Sequence, residues 1–125
     1  MAPQELRIYQ TAAGERPFAV WLEALSDVQA QARIQARLAR LAVGNPGDTK
    51  ALGAGVSELR IDSGPGYRVY FSRIGPAILL LLCGGGKSTQ REDIERAKSY
   101  FQDYRARTAP PQGSGPRTKA RKRAV

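Results

Sequence analysis

Apolar and polar residues alternate along Leu6-Arg-Ile-Tyr-Gln-Thr11, the period-two pattern of a half-buried strand. The period then changes. Pro17 suits the first turn of a helix, and Phe18, Trp21, Leu22 and Leu25 fall on one helical face. Ser26-Asp27 interrupts that helix and offers a cap for a second one, Val28 to about Val43, with Ile34, Leu38 and Leu41 as its apolar stripe. Gly44-Asn45-Pro46 is a stop signal.

After a Gly-rich link, three strand-like segments follow closely. Val56–Ile61 places Leu59 and Ile61 on one face and Glu58 and Arg60 on the other. Asp62–Gly66 makes a hairpin loop into Tyr67–Arg73, where Val69 and Phe71 oppose Arg68 and Tyr70. Gly75-Pro76 turns the chain into Ala77–Cys83, a continuous apolar run suited to a central strand. Cys83-Gly-Gly-Gly-Lys87 ends the sheet. Thr89 and Glu92 have capping-box spacing, so a last helix is predicted from near Gln90, with Ile94, Ala97, Phe101 and Tyr104 as its stripe.

The order β-α-α-β-β-β-α predicts an α+β domain over residues 1–105. Its sheet should be mostly antiparallel, with two N-terminal helices on one face and a C-terminal helix. From Ala106 the composition shifts to Pro, Gly, Ser and cations, which predicts a disordered basic tail over 106–125.

Composition narrows the chemistry. The chain has 125 residues, enough for one core, and 42% of them are hydrophobic. There is no histidine, which removes imidazole bases and the Ser-His and Cys-His triads. The single cysteine, Cys83, excludes a disulfide framework and fits a reducing cytoplasm. The longest apolar run has seven residues, and the N-terminus lacks the apolar core of a signal peptide, so neither a membrane nor export is expected. The net charge of +9 is uneven: residues 105–125 carry seven cations and no acid. Bulk charge therefore describes the tail more than the domain, and the tail should add weak, salt-sensitive RNA affinity or solubility.

Three constellations invite a chemical reading. Gly-Gly-Gly-Lys-Ser-Thr89 joins strand to helix, but a phosphate loop needs glycine where Leu81 stands. Glu92 and Asp93 are adjacent on a first helical turn and point apart, so the helix dipole explains them and no metal site is expected. The third lies on the hairpin. A five-residue loop sets Arg60 opposite Arg68 and Glu58 opposite Tyr70. Facing arginines need a counter-anion, from Glu58 or from a bound phosphate. With Lys87 beyond the next strand, and flexible glycines before it whose amides could approach an anion, this is a small surface suited to a phosphodiester. A solvated sheet face with a loose lysine is the alternative. Arg33, Arg37 and Arg40 form a second cationic stripe, either a wet helix face or a surface for a partner or RNA backbone.

The run through Phe18-Ala-Val-Trp-Leu, Gly44-Asn-Pro-Gly-Asp48, Gly55-Val-Ser-Glu-Leu-Arg-Ile61, Gly64-Pro-Gly-Tyr-Arg-Val-Tyr70 and Leu82-Cys-Gly-Gly-Gly-Lys-Ser-Thr-Gln90 resembles the RelE/ParE superfamily. It is most similar to the HigB-like, addiction-module killer branch of type II toxin–antitoxin systems, over roughly residues 5–104. The resemblance implies a RelE-like fold and a cognate antitoxin, usually a small helix-turn-helix protein. It also implies a cytoplasmic toxin that cuts mRNA, with the ribosome, by 2′-hydroxyl attack and without a metal or other cofactor. Carried over by position, Arg68 would stabilise transition-state charge, Lys87 would serve as acid or charge stabiliser, and Lys50, in the loop before the second strand, would be the general base. Arg60, Arg73 and Arg91 would bind the RNA. The chain departs from some members by having Ile94 where they place an aromatic or acid group, and by lacking histidine. ParE-type relatives poison DNA gyrase and cleave no RNA, which is the second reading. A decayed toxin kept as an antitoxin-binding partner is the third.

Overall fold

Alternation in the hairpin strands sets the architecture, because it gives the sheet two different faces and each needs a cover. The computed structural model describes residues 3–109. Its elements are β1 (Glu5–Ile8), α1 (Pro17–Ala24), α2 (Val28–Ala42), β2 (Thr49–Gly53), β3 (Val56–Ile61), β4 (Tyr67–Ile74), β5 (Ile78–Gly85), a 3₁₀ turn (Lys87–Thr89) and α3 (Gln90–Thr108). The five strands lie in the order β1-β5-β4-β3-β2, antiparallel except for the β1–β5 pair. The class is α+β, as expected, with one strand more than expected.

The extra strand is β2, in the segment expected to be a link. Thr49-Lys-Ala-Leu-Gly53 has little β propensity of its own. It pairs because Gly53, Ala54 and Gly55 all adopt positive φ (88°, 56° and 78°) and reverse the chain onto β3. Gly55 has a second constraint: a side chain there would collide with the Phe101 ring.

One face of the sheet presents Leu59, Ile61, Val69, Phe71, Leu79 and Leu81 to Phe18 of α1 and to Ile34, Leu38 and Leu41 of α2. Asp27 caps α2 as predicted, its Oδ1 accepting from the Ala30 amide at 3.1 Å. The opposite face meets α3. Val56, Tyr70, Leu80, Leu82 and Cys83 pack with Ala97 and Phe101, and the partly buried Ile94 and Tyr104 complete the predicted stripe. A register shift between Tyr70 and Phe71 lets Leu82 and Cys83 both join this second core. The face carrying Glu58 and Arg68 is therefore covered, not a solvated sheet surface.

Three local expectations change. The Thr89–Glu92 capping box does not form, because the Thr89 hydroxyl donates to Asp93 at 2.5 Å instead. Two of the three glycines after Cys83 are required by packing. A side chain on Gly84 would overlap the Trp21 ring, and one on Gly85 would overlap the Asp93 carboxylate. Lastly, α3 runs on through Ala106, Arg107 and Thr108, held by Arg107, which pairs with Asp103 at 2.8 Å and donates to the Gln10 carbonyl at 2.6 Å. Residues 106–108 thus belong to the helix, and the tail expected beyond them falls, from residue 110 on, outside the described residues. Among the described residues, no helix is long and apolar enough to cross a membrane.

Candidate functional site

The β3–β4 register follows the five-residue loop, with Arg60 facing Arg68 and Glu58 facing Tyr70. Like charges directly opposite destabilise a sheet unless something sits between them. Here it is Glu58, whose side chain is fully buried. Its Oε2 accepts from Arg60 Nε at 2.8 Å, and its Oε1 lies 3.4 Å from Arg68 Nε. Gln90, at the start of α3, donates to the same Oε1 at 3.0 Å. A buried carboxylate is stable only when its oxygens are matched in this way.

The two arginines differ in freedom. Arg60 is 38% exposed, and its second anionic contact is Asp48 at 3.8 Å. The hydrogen bond from Arg60 to Glu58, reinforced by the carboxylate charge, raises the guanidinium pKa further above its ordinary value. Arg68 is only 13% exposed and donates through a terminal nitrogen to the Gly66 carbonyl at 3.1 Å. Its Nε contacts Glu58 without the alignment of a hydrogen bond, and is left without such a partner among the described residues. The buried Tyr70 hydroxyl is likewise unpartnered among them. Burial, and then the nearby Glu58 and Asp93 carboxylates, push the Tyr70 pKa well up, so this hydroxyl stays protonated.

Arg60, Arg68 and Lys87 line one cleft of about 270 Å³, together with Asp48, Asp62 and Tyr67. Lys87 reaches it from the 3₁₀ turn after β5, and its Cβ lies close to Gly66. Three of the six residues expected at the site thus come together. Lys50 is on β2, not in a loop. It faces Glu58 in the register, on the same side of the sheet, but does not line the cleft. Arg73 pairs with Leu79 on the α2 side of the sheet, lies over the Phe71 ring at 5.6 Å and donates to Gln4. Arg91 lines a separate shallow surface with Ile94 and Glu95 on α3.

The sequence pattern placed Glu58 on this face as a possible counter-anion; its burial, and its contact with Gln90, depend on where α3 begins. Asp48 and Asp62 were not foreseen at the cleft. Asp62 directly follows the strand that carries Arg60, which was the available signal for it; Asp48 precedes β2 and comes to the cleft through the pairing of β2 with β3. With two rim carboxylates and Glu58 beneath, the cleft is nearly balanced in charge. A phosphate would have to compete with Glu58 for the arginines. A larger concavity, about 660 Å³, lies between Ala54 and α3. It is lined by Phe101, Lys98 and Arg105 but by no carboxylate or hydroxyl side chain, so it lacks the mixed acid and base groups of the cleft. No group of three His, Cys, Asp or Glu among the described residues is placed to hold a metal ion.

Fold and cleft together define an α+β protein whose mixed sheet holds a cross-strand arginine pair over a buried glutamate. No family model matches the chain. It is 49% identical over 86 residues to an uncharacterized protein of Haemophilus influenzae (strain ATCC 51907 / DSM 11121 / KW20 / Rd), covering 69% of this chain and 87% of that protein. The chain belongs to the same family as that protein.

Proposed function

We propose that this protein is the toxin of a type II toxin–antitoxin module, of the RelE/ParE superfamily and its HigB-like branch, acting in the cytoplasm as a ribosome-associated mRNA endoribonuclease that a cognate antitoxin neutralises. The observation that carries the reading is the convergence of Arg60, Arg68 and Lys87 on one cleft, at the ends of the three strands that also carry the family-like motifs. The fold supports it in two respects, with both N-terminal helices on one sheet face and the C-terminal helix on the other.

In this reading the RNA 2′-oxygen attacks the adjacent phosphorus, the 5′-oxygen of the next nucleotide leaves, and a cyclic phosphate forms. The nucleophile comes from the substrate, so no histidine is required. Arg68, held in place by the Gly66 carbonyl, and Arg60 would take up the charge that develops on the phosphorane. Lys87, the exposed cation of the three, would protonate the leaving oxygen. The role first considered for Lys50 passes to the carboxylates that line the cleft, Asp48 and Asp62, as acceptors of the 2′-hydroxyl proton.

The test is growth arrest on induction. Arg68→Ala and Lys87→Ala should each abolish it, while Arg73→Ala, on the other sheet face, should not. Arrest that survives both cleft substitutions would remove the cleft from the account.

The gyrase-inhibiting alternative draws on two specific observations. Both arginines are already engaged by Glu58, and Ile94 occupies the α3 surface where some nucleases of the superfamily carry an acid or aromatic group. It predicts inhibited supercoiling with intact messages.

A further inference from the structure

A second groove adjoins the cleft, and α2 builds it. Its lining is Arg33, Ala36, Arg37 and Arg40 of the helix with Ile61 and Asp62 of the hairpin, enclosing about 280 Å³. Ile61 and Asp62 also line the cleft, so the two concavities share a wall.

We propose that this groove carries a single-stranded RNA backbone onward from the cleft, with the α2 arginines gripping its phosphates. The inference rests on the phosphodiester reading of the cleft given above.

Four observations support it. First, α2 contains three arginines and no acidic residue. A helix face that only meets water usually mixes its signs, whereas cations three and four positions apart repel one another. Second, the three are not equally occupied. Arg37 donates to the Arg60 carbonyl at 2.8 Å and the Pro46 carbonyl at 3.1 Å, which ties the helix to the strand that enters the cleft. Arg33 and Arg40 are exposed, and their side chains make no hydrogen bond or ion pair among the described residues. Third, the cleft is almost balanced by Glu58, Asp48 and Asp62, whereas the groove has three cations against Asp62 alone. The positive surplus that would draw in a polyanion therefore lies on α2. Fourth, no aromatic ring lines the groove. Stacking on bases is not offered there, and a guanidinium fork fits a phosphate. The surface suits backbone contact without sequence readout.

The test uses the full-length protein and a fluorescent single-stranded RNA dodecanucleotide, with affinity measured across a salt series. Three proteins are compared: wild type, the double variant Arg33→Gln/Arg40→Gln, and Arg68→Ala. Because Arg33 and Arg40 are exposed, the double variant should show the wild-type circular dichroism melt. Loss of two phosphate contacts should reduce the slope of log affinity against log salt by about 1.4. Arg68→Ala should weaken binding as well, since one strand would occupy both concavities. If Arg68→Ala weakens binding but the double variant keeps the wild-type slope, the track is overturned while the cleft stands, and the groove is left to an acidic protein surface. A shallower slope in the double variant with no effect of Arg68→Ala also overturns it, because groove and cleft would not share a strand. If neither variant differs from wild type, both the track and the cleft reading fall.

Discussion

Replacing Glu58 with glutamine removes one charge from the centre of the site and almost nothing from its shape. The amide oxygen can still accept from Gln90, so packing and one hydrogen bond survive. What is lost is the anion between Arg60 and Arg68. Breaking a buried ion pair by deleting one partner costs about 3–5 kcal/mol, because the other charge stays buried and unmatched. The two partners divide that cost unequally. Arg60, at 38% exposure, can turn to water, whereas Arg68, at 13%, cannot. The lower end, about 3 kcal/mol, is therefore expected. For a chain of this size that corresponds to a fall of about 12 °C in melting temperature, at roughly 4 °C per kcal/mol. The single tryptophan, Trp21, packs against Gly84 and Tyr67 near the end of the same sheet and gives a fluorescence readout. An added anion discriminates further. Sulfate bound in the cleft should restore much of the loss in Glu58→Gln, by supplying the negative charge that the two arginines have lost, and should stabilise the wild type far less. A variant that melts with the wild type, or one that sulfate does not rescue, would refute the claim that Glu58 and an anion compete for one pair of cations.

The three glycines before Lys87 should separate sharply in thermal melts. Gly84→Ala and Gly85→Ala should each cost at least about 2 kcal/mol through overlap with Trp21 and Asp93, whereas Gly86→Ala, with φ −101° and open space, should be nearly neutral. Cys83 supplies a pH test. Burial, and then the Asp93 charge, push its thiol pKa up to about 12 from 9.0. The folded chain should therefore resist a thiol-alkylating reagent at pH 8. The unfolded chain gives up this proton first as pH rises, so the contribution to stability is complete below pH 9 and is lost between 9 and about 12. A midpoint in denaturant that does not fall across that window would contradict it. Deleting residues 110–125 removes five cations and should leave growth arrest intact while flattening the salt dependence of RNA binding; arrest lost with the tail would show that the domain does not suffice.

Much of the cleft was legible because a period of two and a five-residue loop fix who faces whom. Arg60, Arg68, Glu58 and Tyr70 needed no more than counting. The same counting puts Arg73, an odd number of positions from Arg68, on the sheet face opposite the cleft. The burial of Glu58 was not legible, because a charged residue on an alternating strand normally marks the wet face. Here α3 lands on that face, and Arg60, Arg68 and Gln90 match the carboxylate. Strand β2 was hidden for a different reason: Thr49–Gly53 is ordered by three consecutive left-handed residues and by pairing with β3, not by its own apolar pattern. Thr89 shows how a short motif misleads. A capping box would have its hydroxyl accept from the Glu92 amide; instead it donates to Asp93, whose carboxylate lies over Gly85. The arginine stripe of α2 was visible from the start, but its relation to the cleft required the shared wall at Ile61 and Asp62.

The most direct measurement of the central claim is the chemistry of the message ends after wild-type protein is added to a translating extract. Attack by the 2′-hydroxyl predicts cleaved mRNA with 2′,3′-cyclic phosphate on the upstream fragment and 5′-hydroxyl on the downstream one, both absent with Arg68→Ala. Intact messages, or fragments ending in 3′-hydroxyl and 5′-phosphate, would contradict it.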